Sequence, residues 1–243
     1  MSDDPHLDAF TEHRRTLVGA AYRVLGSVSD AEDVVQEVWF RWSDVDIAEV
    51  REPRAYLLRI TTRLALNRLR QQKRRREQYI GPWLPEPLSD VHEVGADAPV
   101  ELAESVSMAM LVVLESLSPL ERAAFVLREV FEVPFAEIAK SLDRSEAAVR
   151  QLVHRARTHV DARASRQHID AETHRSVTLQ FLESVQNGSI VAVVRLMSPD
   201  VELVSDGGGK RRAALKPIHG GEKILRFIAG VMARPDTPMD DVR

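Results

Sequence analysis

The stretch FAEIAKSLDRSEAAVRQLVHRARTHV, residues 135–160, decides how the chain is read. Phe135, Ile138, Ala139 and Leu142 recur at helical spacing, Asp143 and Arg144 interrupt, and Ser145 offers a side-chain oxygen to cap a second helix. In that second helix Val149, Leu152, Val153, Ala156 and Val160 form an apolar stripe, leaving Glu146, Ala147, Arg150, Gln151, His154 and Arg157 on the other face. A helix, a tight turn and a helix with a basic, donor-rich face suit the reading of duplex DNA, because guanidinium and amide groups reach base edges while flanking arginines hold phosphates. An ordinary helical hairpin with a solvated polar face has the same pattern, and the turn lacks the glycine such turns often carry.

Upstream, charge is unevenly placed. Between Val28 and Glu49 there are seven acids (Asp30, Glu32, Asp33, Glu37, Asp44, Asp46, Glu49) against Arg41 alone. Between Arg51 and Arg76 there are ten bases against Glu52 alone. Over the whole 243 residues the formal charge is only −4, so the total conceals two neighbours that suit partners of opposite sign. The acidic helix SDAEDVVQEVWFRWSDV, capped by Ser29 in this reading, turns Val34, Val35, Val38, Trp39 and Trp42 inward and Asp30, Asp33, Gln36, Glu37 and Arg41 outward. Its acids suit the helix dipole, and equally suit a docking surface for a basic partner protein. The basic segment PRAYLLRITTRLALNRLRQQKRRR puts Tyr56, Leu57, Ile60, Leu64, Ala65 and Leu69 on a core face and Arg59, Arg63, Asn67, Arg68 and Arg70 elsewhere. Arginines with asparagine, threonine and an aromatic suit single-stranded or melting DNA.

Around these lie a first helix, Leu7–Leu25 closed by Gly26, and a helix pair ending in SPLERAAFVLREV, where Ser118, Pro119 and Glu121 spell a capping box. Between them, YIGPWLPEPLSDVHEVGADAP is too rich in proline for a helix and reads as an interdomain linker, in which Trp83 and Leu84 are expected to dock on something, with the last domain a candidate. After residue 166 the pattern becomes mixed: a helix over 170–186, a shorter one to Met197, a strand over 201–204, the turn DGGGK at 206–210, a strand over 215–219 and a helix over 222–232. The glycine turn lacks the strand-to-helix setting of a nucleotide loop and reads as a connection between strands.

The chain has no cysteine, which excludes disulfides and thiolate chemistry and suits a reducing cytoplasm. The polar N-terminus is unlike a signal peptide, and no apolar run approaches the roughly 20 residues that span a bilayer. The eight histidines are scattered without metal-ligand pairing, so the reading assigns no catalytic residue, no metal and no cofactor.

DAEDVVQEVWFRW from Asp30 and LSPLERAAFVLREVFEVPFAEIAKSLDRSEAAVRQLVHRAR from Leu117 resemble bacterial RNA polymerase sigma factors of the extracytoplasmic-function type. YIGPWLPEP and the later DGGGK resemble the subgroup that carries a SnoaL-like C-terminal extension, thought to regulate activity within the same chain; a complete extension would continue past Arg243, so the segment reads as partial. The resemblance implies a mainly α protein: a promoter-melting and polymerase-docking domain over 1–77, a Pro-rich linker over 78–99, a helix-turn-helix domain over 100–166 and an α+β segment over 167–243.

By the same resemblance Asp30, Asp33, Gln36, Glu37 and Trp39 face core RNA polymerase. Arg51, Arg54, Tyr56, Arg59, Arg63, Asn67, Arg68 and Arg70 meet the minus-ten promoter DNA, and Arg144, Ser145, Arg150, Gln151, His154 and Arg157 the minus-thirty-five duplex. Trp83, Leu84 and Pro85 with Asp206, Gly207, Gly208 and Lys210 form the expected regulatory contact, and a small-molecule or protein signal at the C-terminal segment is left open. Two rivals remain: a ligand-sensing helix-turn-helix regulator acting on duplex DNA alone, against which the basic helix beside the acidic one argues, and a SnoaL-like enzyme with a DNA-binding appendage, against which the partial domain argues.

Overall fold

The computed structural model describes residues 4–76, 82–86, 108–163, 171–207 and 213–232. The chain divides into two compact units, one built from residues up to 75 and from 85 to 164, the other from 76–84 and from 165 onward.

In the first unit α1 (Pro5–Leu25) starts two residues earlier than the apolar pattern suggests, because Asp4 accepts from the backbone of His6 and Leu7 and Pro5 is preset for the first turn. It stops at Gly26, whose φ of +73° is the left-handed cap that glycine adopts without strain. α2 (Val28–Ser43) is capped by Ser27 rather than Ser29: Ser27 is the extended residue and its hydroxyl accepts from Asp30 N. Ser29 lies inside the first turn, so the two-residue shift corrects the sequence reading. A 3₁₀ turn (Ile47–Glu49) leads to α3 (Pro53–Arg76).

α4 (Met108–Glu115) precedes α5 (Pro119–Phe125), whose capping box forms as expected. Where one continuous helix was expected, α5 passes into a π-helical turn at Val126–Val130, and Glu132 then takes a positive φ of 54°. α6 (Phe135–Leu142) and α7 (Glu146–Arg163) follow. Asp143 occupies the left-handed position of the intervening turn, φ 53°, which aspartate tolerates better than most side chains; this is how the turn dispenses with glycine. Ala148 N donates to Ser145 Oγ at 3.2 Å, the expected cap.

Both helical halves of this unit share one core. Leu17, Tyr22, Leu25, Val35, Val38 and Trp42 are buried from α1 and α2, Leu57 and Ala65 from α3, and Leu114, Phe125, Leu127, Ile138, Val149 and Ala156 from α4–α7. Arg122, 3% exposed, donates to Val24 O and Glu115 Oε1, both at 2.9 Å, tying α5 to the end of α1.

The second unit holds α8 (Ala171–Gln186), α9 (Ile190–Arg195), strands β1 (Glu202–Leu203) and β2 (Ile218–His219), and α10 (Gly221–Met232). The strands pair antiparallel, Glu202 opposite His219 and Leu203 opposite Ile218, so the expected returning strand forms, but each strand is two residues long rather than spanning 201–204 and 215–219. Ala214 and Ile224 are its buried apolar residues among those described. Among the described residues no helix is long and apolar enough to cross a membrane.

Candidate nucleic-acid and polymerase interface

The acidic and basic helices meet each other. Arg68 Nε donates to Asp30 Oδ1 and Arg68 Nη2 to Asp33 Oδ2, each at 2.7 Å, and Gln72 donates to the second oxygen of Asp30. Burial works against the Arg68 charge, but the hydrogen bonds and attraction of the two carboxylates outweigh it and hold the guanidinium above its ordinary pKa. Two residues assigned to polymerase and one assigned to DNA are thus one ion-paired cluster.

The rest of the docking set faces elsewhere. Glu37 accepts from Arg41 at 2.7 Å on the exposed surface. Gln36 and Trp39 line a groove of about 350 Å³ between α1 and α2, with Leu7, Phe10 and Phe40 in its walls. The Trp39 ring lies 5.1 Å from Phe10, and Phe40 is 67% exposed. Sequence reasoning missed Phe40; its signal was a large aromatic left outside the apolar stripe of Val38, Trp39 and Trp42.

On α3, Arg54 is exposed, as is Arg51 just before the helix. Arg59 stacks 4.7 Å from the Tyr56 ring centroid, and Arg70 Nη1 donates to Asn67 Oδ1 at 3.4 Å. Arg63 reaches across to the end of α6, donating from Nη2 to Lys140 O at 2.9 Å and from Nε to Ser141 O at 3.2 Å. Carbonyls at a helix C-terminus are unsatisfied within the helix, so a guanidinium fits there both by hydrogen bonding and by charge. The threonines are turned inward: Thr61 and Thr62 are buried and donate to Leu57 O and Leu58 O, which removes them from any nucleic-acid face.

The α7 face is arranged differently. Arg144, Ser145, Glu146, Arg150, Gln151, His154 and Arg157 are all exposed, over the buried stripe of Val149, Leu152, Val153 and Ala156. Arg144 Nη1 donates to Asp143 O at 2.7 Å, and Arg157 Nη2 to Glu129 Oε1 at 2.8 Å. Behind this face Arg155 Nε donates to Glu121 Oε1 at 2.8 Å. Burial pushes the Glu121 carboxyl up, but its bonds from Ser118 and Arg155 outweigh that and leave it below its usual value.

Of the linker residues, Trp83 is 42% exposed and Leu84 N donates to Asp206 Oδ2 at 3.0 Å. Pro85 is buried and packs beside Gly26. Glu86, which sequence reasoning did not single out, fastens the next residue to the α1–α2 corner: its N–H donates to Gly26 O at 2.7 Å, its carboxylate accepts from Ser27 Oγ and Val28 N, and its carbonyl accepts from Tyr22 Oη at 2.8 Å. Burial, with the nearby Glu86 charge, pushes the Tyr22 hydroxyl up to about 12, which keeps it a donor. Gly207 borders Asp206, while Gly208 and Lys210 lie outside the described residues. Among the described residues no group of three or more His, Asp or Glu is placed to hold a metal ion.

Residues 9–75 match the model of Sigma-70 region 2, and residues 107–160 that of Sigma-70, region 4. Over 227 residues the chain is 42% identical to the ECF RNA polymerase sigma factor SigJ of Mycobacterium tuberculosis H37Rv, covering 93% of this chain and 72% of that one. The chain belongs to the ECF sigma factors. It is also 34% identical over 200 residues to the probable ECF sigma factor SigI of the CDC 1551 strain, 82% of this chain and 69% of that one. Its fold superposes on the crystal structure of SigJ with a TM-score of 0.73 at 38% identity, over 94% of this chain and 76% of that one. That coverage continues beyond the region 4 match into the α+β segment, as expected of a sigma factor with a SnoaL-like extension. The protein is a transcription initiation factor that directs promoter recognition by RNA polymerase, and the duplex-only regulator is not favoured.

Proposed function

We propose that this sigma factor docks on core RNA polymerase through α2, engages the minus-ten element through the exposed arginines of α3, and reads the minus-thirty-five duplex with the N-terminal half of α7. The observation that carries this reading is the α7 face: a capped helix-turn-helix whose exposed groups are guanidinium, amide, hydroxyl and imidazole, with the single carboxylate of Glu146, over an apolar underside. For docking, Gln36, Glu37 and Phe40 are the α2 residues supported by their exposure, with the half-buried Trp39 beside them in the groove, whereas Asp30 and Asp33 serve by holding Arg68. Arg51 just before α3 and Arg54, Asn67 and Arg70 on it supply the accessible donors, with the Tyr56–Arg59 stack a planar surface suited to an unpaired base. The protein performs no covalent chemistry and works in the cytoplasm beside its polymerase.

The C-terminal segment modulates this activity through the linker. Support comes from the bond between Leu84 N and Asp206, which joins the two motifs that the subgroup resemblance singles out. The test is promoter-directed run-off transcription with bacterial core polymerase. Transcripts should require the protein, and Asp206→Ala or Trp83→Ala should change their yield without lowering the melting temperature of the helical unit. Duplex binding that never supports initiation returns the duplex-only regulator to favour, and unchanged transcript yield in both variants removes the linker from regulation.

A further inference from the structure

Phe135, the first residue of α6, belongs to no set of interface residues, yet its ring underlies two guanidiniums. Arg150 Cζ lies 4.3 Å from the ring centroid and Arg128 Cζ 4.7 Å. The two arginines differ in what else holds them. Arg128 Nη1 donates to Val133 O at 3.2 Å, on the segment leading into α6, and is half-buried there. Arg150 stands in the second turn of α7, its side chain 60% exposed, with Glu146 Oε2 at 3.4 Å from its Nη2.

We propose that Phe135 is a positioning residue for promoter reading: its ring holds the Arg150 guanidinium on the minus-thirty-five face, ready for one base edge, and thereby sets the preference at the base pair Arg150 meets. The proposal rests on the reading of the α7 face as the minus-thirty-five surface. An unrestrained arginine samples many rotamers and must be ordered on binding, which weakens every hydrogen bond it makes. A ring against the guanidinium face leaves the N–H edge available, and a bidentate contact to guanine O6 and N7 uses that edge. The carboxylate of Glu146, 3.4 Å from Nη2, narrows the choice further. Arg128, fixed to the backbone, steadies the ring. The requirement is for a π face at this position; an aliphatic side chain fills the space against the core without it.

The experiment uses holoenzyme assembled from the full chain and bacterial core polymerase, mixed with promoter-length duplexes of randomised sequence, the bound duplexes being sequenced. The wild type should show, within the minus-thirty-five window, a guanine preference that Arg150→Ala abolishes. Phe135→Leu should weaken that one preference roughly two- to fivefold, the range an exposed cation–π contact supplies, and leave neighbouring positions unchanged. Phe135→Tyr should retain it. A Phe135→Leu profile identical to the wild type overturns the proposal. So does a loss spread evenly over the window with a lowered melting temperature, which marks a packing role. Phe135→Met provides the same comparison should the leucine variant fail to fold. If Arg150→Ala leaves every position unchanged while the holoenzyme still selects a promoter, the assignment of Arg150 fails and the Phe135 proposal with it. If the wild-type holoenzyme selects no sequence, the α7 reading itself is wrong.

Discussion

α3 and α7 are both arginine-rich helices, and both were read from sequence as DNA-binding, but they use their arginines in opposite ways. On α3 three of them are tied to other groups of the same unit: Arg59 on Tyr56, Arg63 on the carbonyls of α6, and Arg68 on Asp30 and Asp33. On α7 the face proposed to read DNA stays exposed, and Arg155 sits behind that face on Glu121. Ten bases in a run therefore overstate the cationic surface, because a charge count does not distinguish a guanidinium offered to a partner from one that joins two helices.

The sharpest way to break this comparison is to exchange the readouts. Gln151→Ala removes an exposed amide from α7, so promoter-directed transcription should fall about tenfold, the lower part of the range for a lost base contact. Stability in urea should stay within about 0.5 kcal/mol of the wild type. A large shift in the urea midpoint would place Gln151 among the structural residues. Arg68→Ala should do the reverse in kind. It leaves Asp30 and Asp33 without their shared cation, and stability should drop by about 1–2 kcal/mol, between the exposed-pair and buried-pair ranges, because the site is partly open to solvent. Arg68→Lys should recover only part of that, since an ammonium cannot offer two donors in a fixed fork. Urea unfolding of the three proteins measures this, and an Arg68→Ala protein as stable as the wild type would return Arg68 to the DNA-binding set.

What the sequence made legible and what it hid follows from the range over which each signal acts. Gly26, the Ser118–Glu121 capping box and the Ser145 cap are local patterns within one helical turn, and each forms as read. The stripe of α7 is likewise local: Val149, Leu152, Val153 and Ala156 are buried and Val160 is half-buried. The Ser27 cap was missed because Ser27 and Ser29 are equivalent by composition; what separates them is Glu86, nearly sixty residues on, whose carboxylate takes Ser27 Oγ and Val28 N. The Arg68 cluster, the Arg63 tie and the Phe135 stack have the same character: residues distant in sequence or on different helices, chosen by packing. Thr61 and Thr62 look like polar surface in the sequence, yet each satisfies its hydroxyl on a carbonyl four residues back and is buried.

Arg63 is one tie between the two helical halves of the first unit, and its loss should have a smaller effect than that of Arg68. Arg63→Ala gives up two hydrogen bonds to carbonyls at the end of α6, one of them exposed, which predicts a loss of about 0.5–1 kcal/mol. Hydrogen exchange of the α6 amides should speed up in this variant while that of α1 is unchanged. Equal acceleration in both would mean that Arg63 supports the whole unit rather than this junction.

The smallest effect tests Arg155, behind the α7 face. Glu121 accepts from Ser118 and Arg155 and has a folded-state pKa below its ordinary value of 4.5. Folding therefore favours its ionised form. The contribution is complete above the unfolded-state value and is lost as pH falls through the depressed folded value, because the unfolded chain then takes up the proton first. Glu121→Gln keeps the size and one acceptor of the side chain but cannot titrate. The melting temperature of the wild type should exceed that of Glu121→Gln by a constant margin near neutral pH, with the margin narrowing as pH falls below the usual carboxylate range. A margin that holds flat through that acid range would mean that Arg155 draws nothing from the Glu121 charge, and that α7, unlike α3, has no arginine committed to holding the fold.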